Sequence, residues 1–103
     1  MEKRLILDEI LRKAPNTEQV YFATENQSNM TYPCIRYELS RRNYVSANDK
    51  KYLKFSNYTV FYVTRSPSDS IPVIEYLESL NYCVFDRTYV TDGLYHYVFS
   101  ISL

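Results

Sequence analysis

One glycine, one histidine and no tryptophan stand among the 103 residues of this chain. A single glycine excludes a P-loop and a dinucleotide fingerprint, because both need several glycines where backbone closes on phosphate. A lone histidine, His96, has no cysteine or carboxylate partners at ligand spacing, so no metal residues are assigned. The two cysteines, Cys34 and Cys83, are far apart and form no CxxC pair. They read as small, half-buried strand residues and not as a metal knuckle or a disulfide framework. No apolar run approaches the roughly 18–20 residues of a membrane span. The opening MEKRLILDEILRKAP is too evenly charged for a signal peptide, so synthesis inside the cell is expected. An excess of one charge is also missing: twelve basic residues face twelve acidic ones. That argues against nucleic acid as the main partner.

What is abundant is tyrosine. Twelve Tyr and five Phe, within 46% hydrophobic residues, suit pleated and half-buried sheet surfaces. The length holds one core, so residues 1–103 are read as a single domain. Residues 2–14 carry Leu5, Ile6 and Ile10 at helical spacing, widened by Leu7, Leu11 and Ala14, and Pro15 ends the helix. Residues 19–23 suit a short strand and 24–32 a loop. From Cys34 the period drops to two, with Ile35, Tyr37 and Leu39 opposed to Arg36, Glu38 and Ser40. Turn formers sit at Asn48-Asp49. Residues 55–64 are apolar on both faces, which marks an interior strand.

The segment from Ser66 to Tyr82 returns to helical spacing through Ile71, Ile74, Leu77 and Leu80. Ser66, Asp69 and Ser70 are candidate N-caps, and Pro67 and Pro72 suit a first turn. Residues 82–90 and 94–103 alternate as strands around Thr91-Asp92-Gly93, a hairpin turn that uses the one glycine. The expected architecture is α+β: a two-layer domain whose mostly antiparallel sheet has four or more strands and two helices on one face. The expected core is Leu5, Ile10, Ile35, Tyr37, Val60, Tyr62, Ile74, Leu77, Val84, Phe99 and Ile101.

Catalytic constellations are weak. Cys83 with His96 lacks any flanking nucleophile motif, His96 reads as a surface-facing strand residue, and Asp86 with Asp92 reads as strand-end and turn acids. No catalytic or cofactor-binding residue is assigned, and no enzyme is expected. Charge is nonetheless segregated. Residues 36–54 hold six basic side chains against two acidic ones, a net +4, and residues 69–92 hold five acidic against one basic, a net −4. Two such patches favour a head-to-tail contact between copies, with Arg41, Arg42, Lys50 and Lys51 against Asp69, Glu75 and Glu78. The basic stretch also interleaves cations with Tyr44, Tyr52 and Phe55, a pattern suited to stacking single-stranded nucleic acid.

The stretch Arg65-Ser66-Pro67-Ser68-Asp69-Ser70-Ile71-Pro72, followed by Tyr82-Cys83-Val84-Phe85-Asp86-Arg87-Thr88-Tyr89-Val90-Thr91-Asp92-Gly93-Leu94-Tyr95-His96-Tyr97-Val98-Phe99, resembles small tail-completion or head–tail joining proteins of long-tailed phages and prophages of Gram-positive bacteria. Tyr32, Pro33, Ile35 and Tyr37 extend the resemblance upstream, whereas Gly93 stands where Asn is more usual. The resemblance implies a virion structural protein, a tail terminator forming a ring, commonly a hexamer in such proteins. Its partners would be copies of itself, the tail tube and head-connector proteins. It would reside in the host cytoplasm during assembly and then in the tail or neck, with no membrane and no cofactor. Two other readings are a small single-stranded nucleic-acid-binding accessory protein and a monomeric adaptor or inhibitor binding one host protein. A mobility-shift assay with single-stranded DNA at about 50 mM salt separates the first of these. We expect no retarded band at high protein concentration; a salt-sensitive band would establish nucleic-acid binding.

Overall fold

The computed structural model of the chain describes residues 3–22, 31–47 and 50–102; the side chains of Lys3, residues 42–47 and residues 50–55 lie outside the described set. Helix α1 (Lys3–Arg12) leads into strand β1 (Gln19–Phe22), then the long strands β2 (Cys34–Ala47) and β3 (Lys50–Thr64). A 3-10 turn (Pro67–Asp69) opens helix α2 (Ser70–Glu78), and strands β4 (Cys83–Thr91) and β5 (Leu94–Ser102) follow. The five strands form one sheet in the order β1-β2-β3-β5-β4. All neighbours are antiparallel except β1 and β2, which run parallel. This is the expected α+β domain, with β3 interior as its two apolar faces require.

Both helices cover one face. Leu7 and Leu11 from α1, Ala14 just after it, and Val73 and Leu77 from α2 pack with Val20, Ile35, Tyr37, Tyr58, Val60, Tyr62, Cys83, Phe99 and Ile101. The opposite face carries a smaller cluster of Cys34, Phe61, Val63 and Val98, with Tyr21, Tyr32 and Leu94 at its rim. The Arg36 guanidinium lies 4.3 Å from the centre of the Phe61 ring and shields it from water.

Tyrosine hydroxyls fasten α1 and the turn after it to the sheet and to α2. Tyr37 donates to Asp8 Oδ2 (2.6 Å), Tyr62 to the Asn16 carbonyl (2.8 Å) and Tyr76 to the Ile10 carbonyl (2.8 Å). Burial would raise the Asp8 pKa, but the Tyr37 hydroxyl and the Arg12 guanidinium outweigh it and hold the carboxyl below its ordinary 3.8. Burial, and then the Asp8 carboxylate, push the Tyr37 hydroxyl up to about 12.

Several expectations are corrected. Leu5 is 45% exposed, and the buried stripe of α1 is Leu7 and Leu11. The helix is apolar at Leu5, Ile6, Leu7, Ile10 and Leu11, so more than one stripe is available and the sheet selects one. Val84 is 66% exposed because Cys83 takes the inward position on β4. Ile10 and Ile74 are half-buried at the margin of the core. On α2, Val73 replaces Ile71, which stays exposed. Neither Ser66 nor Asp69 makes a side-chain cap; the Ser70 hydroxyl bonds back to the Pro67 carbonyl (2.6 Å). The strand beginning at Cys34 continues to Ala47 through a bulge between Leu39 and Arg41. The turn expected at Asn48-Asp49 lies outside the described residues. The second turn is as expected, with Asp92 at φ 53° and Gly93 at φ 75° giving the two left-handed residues of a tight hairpin.

Leu77 has no exposed surface. Leu77→Ala is expected to lower stability by about 2–5 kcal/mol in chemical denaturation. A loss below about 0.5 kcal/mol would place α2 with the wrong face inward. Asp8→Asn is expected to cost about 1–2 kcal/mol near neutral pH by weakening a charged hydrogen bond. Because the folded pKa of Asp8 is depressed, its contribution is present above about 3.8 and is lost as pH falls through the folded value. The gap between parent and variant therefore narrows as urea midpoints are followed to pH 3 and below.

Candidate functional site

The feature that organises the charged residues is a ribbon. β5 pairs with β3 from Asn57 to Thr64, and β1 pairs with β2 from Cys34 to Tyr37. Beyond those limits, residues 42–47 of β2 and 50–56 of β3 pair only with each other among the described residues. About seven residues at about 3.3 Å each carry this two-stranded arm some 20 Å past the body. The molecule is accordingly elongated, 51 × 29 × 25 Å.

The base of the ribbon is tied at Asn57. Its carbonyl accepts the Ser40 hydroxyl (2.9 Å), and its Oδ1 accepts the Ser102 hydroxyl (2.7 Å). Ser40 is the extra residue of the bulge, so the bulge itself is bonded across to β3.

The basic residues are distributed along this arm. Arg41 is exposed and pairs with Asn57, and Arg42 pairs with Ser56, both at the base. Lys51 pairs with Ser46 and Lys50 with Ala47, near the tip. Base and tip positions are four to six residues apart, or about 13–20 Å. The expected patch is therefore a strip of positive positions and not one cluster. The side chains of Arg42, Lys50 and Lys51 lie outside the described set.

The acidic residues belong to the body. Glu75 and Glu78 are exposed and three residues apart on α2, so they share a side of the helix. Asp69 is half-buried in the 3-10 turn, where its carbonyl accepts the Asn16 amide (3.2 Å). It contributes less to that surface than Glu75 and Glu78 do. The ion pairs found among the described residues are Arg12–Asp8, Arg36–Glu38 and Arg87–Asp86, none of which joins the two patches.

The structure separates the candidate catalytic pairs. Cys83 is aligned with Ile101 and His96 with Tyr89, and the two lie on opposite faces about 17 Å apart along the strands. Burial pushes both thiols up to about 11, away from the thiolate that a nucleophile needs. His96 is half-buried and stacked on Tyr89, ring centres 4.6 Å apart, a closer environment than the expected surface histidine. Burial, the largest effect, lowers its pKa. Asp86 sits at a bulge in β4 and Asp92 in the turn, so they share no site. Among the described residues no group of three or more His, Cys, Asp or Glu side chains is placed to hold a metal. No described helix is long and apolar enough to cross a membrane.

One surface was missed in the sequence. Strand β4 lies at the sheet edge, and Val84, Phe85, Tyr89 and Val90 are 66, 38, 38 and 59% exposed. The signal was present: this strand is apolar on both faces, like β3, but follows a helix too short to cover it.

No family model, curated protein or solved structure matches this chain.

Proposed function

We propose that the protein is a structural assembly protein of the tail-completion or head–tail joining class, whose copies associate head to tail into a ring in the virion neck. The observation that supports this reading is the projecting ribbon. Its basic positions are carried away from the body, while Glu75 and Glu78 stay on α2. Opposite charges placed on separate parts of one subunit are best satisfied between subunits. A contact of this kind uses two different surfaces, so repetition closes a ring if the rotation allows. The resemblance in residues 82–99 supplies the class, and the ribbon supplies a means of association. Phage tail tube and head-connector proteins would be the other partners of such a ring.

Light scattering on charge variants tests it. Lys50→Glu with Lys51→Glu should place like charges in contact, which costs several kcal/mol. Association should then weaken about a hundredfold or more. Adding Glu75→Lys with Glu78→Lys should restore part of it, with the unfolding midpoint unchanged throughout. A doubly reversed variant that associates as well as the parent would show the two patches to be ordinary solvated faces.

A further inference from the structure

We propose that β4 pairs antiparallel with β4 of a second copy across a two-fold axis. This contact is separate from the head-to-tail one and does not depend on it. The opposite edge of the sheet, β1, is four residues long; β4 is nine residues long and exposed at every position after Cys83. An uncovered edge of this length presents a row of free backbone donors and acceptors.

The direction of those groups follows from the hairpin. A two-residue turn is closed by a bonded pair, here Thr91 and Leu94. Bonded and non-bonded pairs then alternate. The Thr88–Tyr97 and Val90–Tyr95 pairs are therefore non-bonded, and the backbone groups of Thr88 and Val90 point outward. A bulge sets Asp86 and Arg87 together opposite Val98. Beyond it the alternation resumes and ends on the Tyr82–Ser102 pair, whose bond is present at 3.0 Å. Counting back from that pair, Phe85 and Cys83 also point outward.

The bulge makes this edge self-complementary. It shifts the side-chain alternation by one residue, so Val84, Arg87 and Tyr89 share the open face while Phe85, Thr88 and Val90 share the helix face. Centre a two-fold axis between Asp86 and Arg87. Phe85 then lies opposite Thr88 of the second copy, both with outward backbone groups, and Cys83 lies opposite Val90, where only the Cys83 carbonyl is available because its N–H donates to the Leu80 carbonyl (3.2 Å). Val84 lies opposite Tyr89, both with inward backbone groups and on one face. Without the bulge, this odd register would set side chains of opposite faces against each other. The acid and the base of the strand also meet. Asp86 faces Arg87 of the second copy, and Arg87 faces its Asp86. In the single subunit these two pair with each other at 2.6 Å while half-exposed. A complement that the strand finds in itself identifies the occupant as another copy of this chain.

The test is the native mass of the full chain. Removing the ribbon contact with Lys50→Glu and Lys51→Glu should leave a species of twice 12.3 kDa. In that background, Asp86→Arg alone and Arg87→Asp alone should each reduce the species to 12.3 kDa. Mixing those two variants should restore the doubled mass, because Arg then faces Asp at both positions. Thr88→Pro, which removes an outward donor and spares the backbone bonds to β5, should also give a monomer with unchanged circular dichroism; Thr88→Ala, which loses only the hydroxyl bond to the His96 carbonyl (2.9 Å), should still dimerise. A folded protein that stays monomeric at its solubility limit would overturn the proposal. So would an Asp86→Arg variant that dimerises like its parent, or a dimer that survives Thr88→Pro.

Discussion

Every backbone donor and acceptor of a buried strand needs a partner, and β3 meets this requirement on both sides only from Asn57 to Thr64. That limit divides the molecule. Where β3 has two neighbours, its side chains serve two cores, Val60 and Tyr62 beneath the helices and Phe61 and Val63 on the other face. Where it has one neighbour, it can only form a ribbon with β2. The placement of the basic residues away from α2 follows directly from where β5 stops pairing.

The tyrosines serve this division. Twelve are present, and the hydroxyls of Tyr37, Tyr62 and Tyr76 each reach α1 or the turn after it. Each ring contributes apolar area to the core, and its oxygen satisfies a polar group that the helix layer would otherwise bury. Phenylalanine would supply the area without the bond. This accounts for how two short helices are held over a five-stranded sheet with no tryptophan in the chain.

Period-two alternation from Cys34 and around Gly93 made the strands legible in the sequence, and the 3.6-residue spacing made both helices legible. Ile35, Tyr37, Val60, Tyr62, Leu77, Phe99 and Ile101 were readable as core for the same reason, and all are fully buried. Leu5 and Val84 were not, because periodicity names a face without naming which of two apolar faces is covered. The charge segregation was visible as numbers, but its meaning was not. Nothing local in residues 42–47 and 50–56 says that β5 will end at Ser102 and leave them paired only with each other among the described residues. The exposed edge of β4 was hidden for a related reason. Strand order is set by pairings between residues distant in sequence, and a strand looks the same in the middle of a sheet as at its border.

The order β1-β2-β3-β5-β4 has a consequence for how the chain is made. β5 follows every other strand in sequence, yet it lies between two of them. Until Leu94–Ser102 is synthesised, β3 has one bare side, and Phe99 and Ile101 are missing from the main core. Helices α1 and α2 can form before that, but they have only part of a floor to rest on. Folding on the ribosome is thus held back until the hairpin at Asp92-Gly93 turns and inserts its second arm. The nascent chain passes through a stage in which the valine- and tyrosine-rich edge of β3 is open to any passing strand.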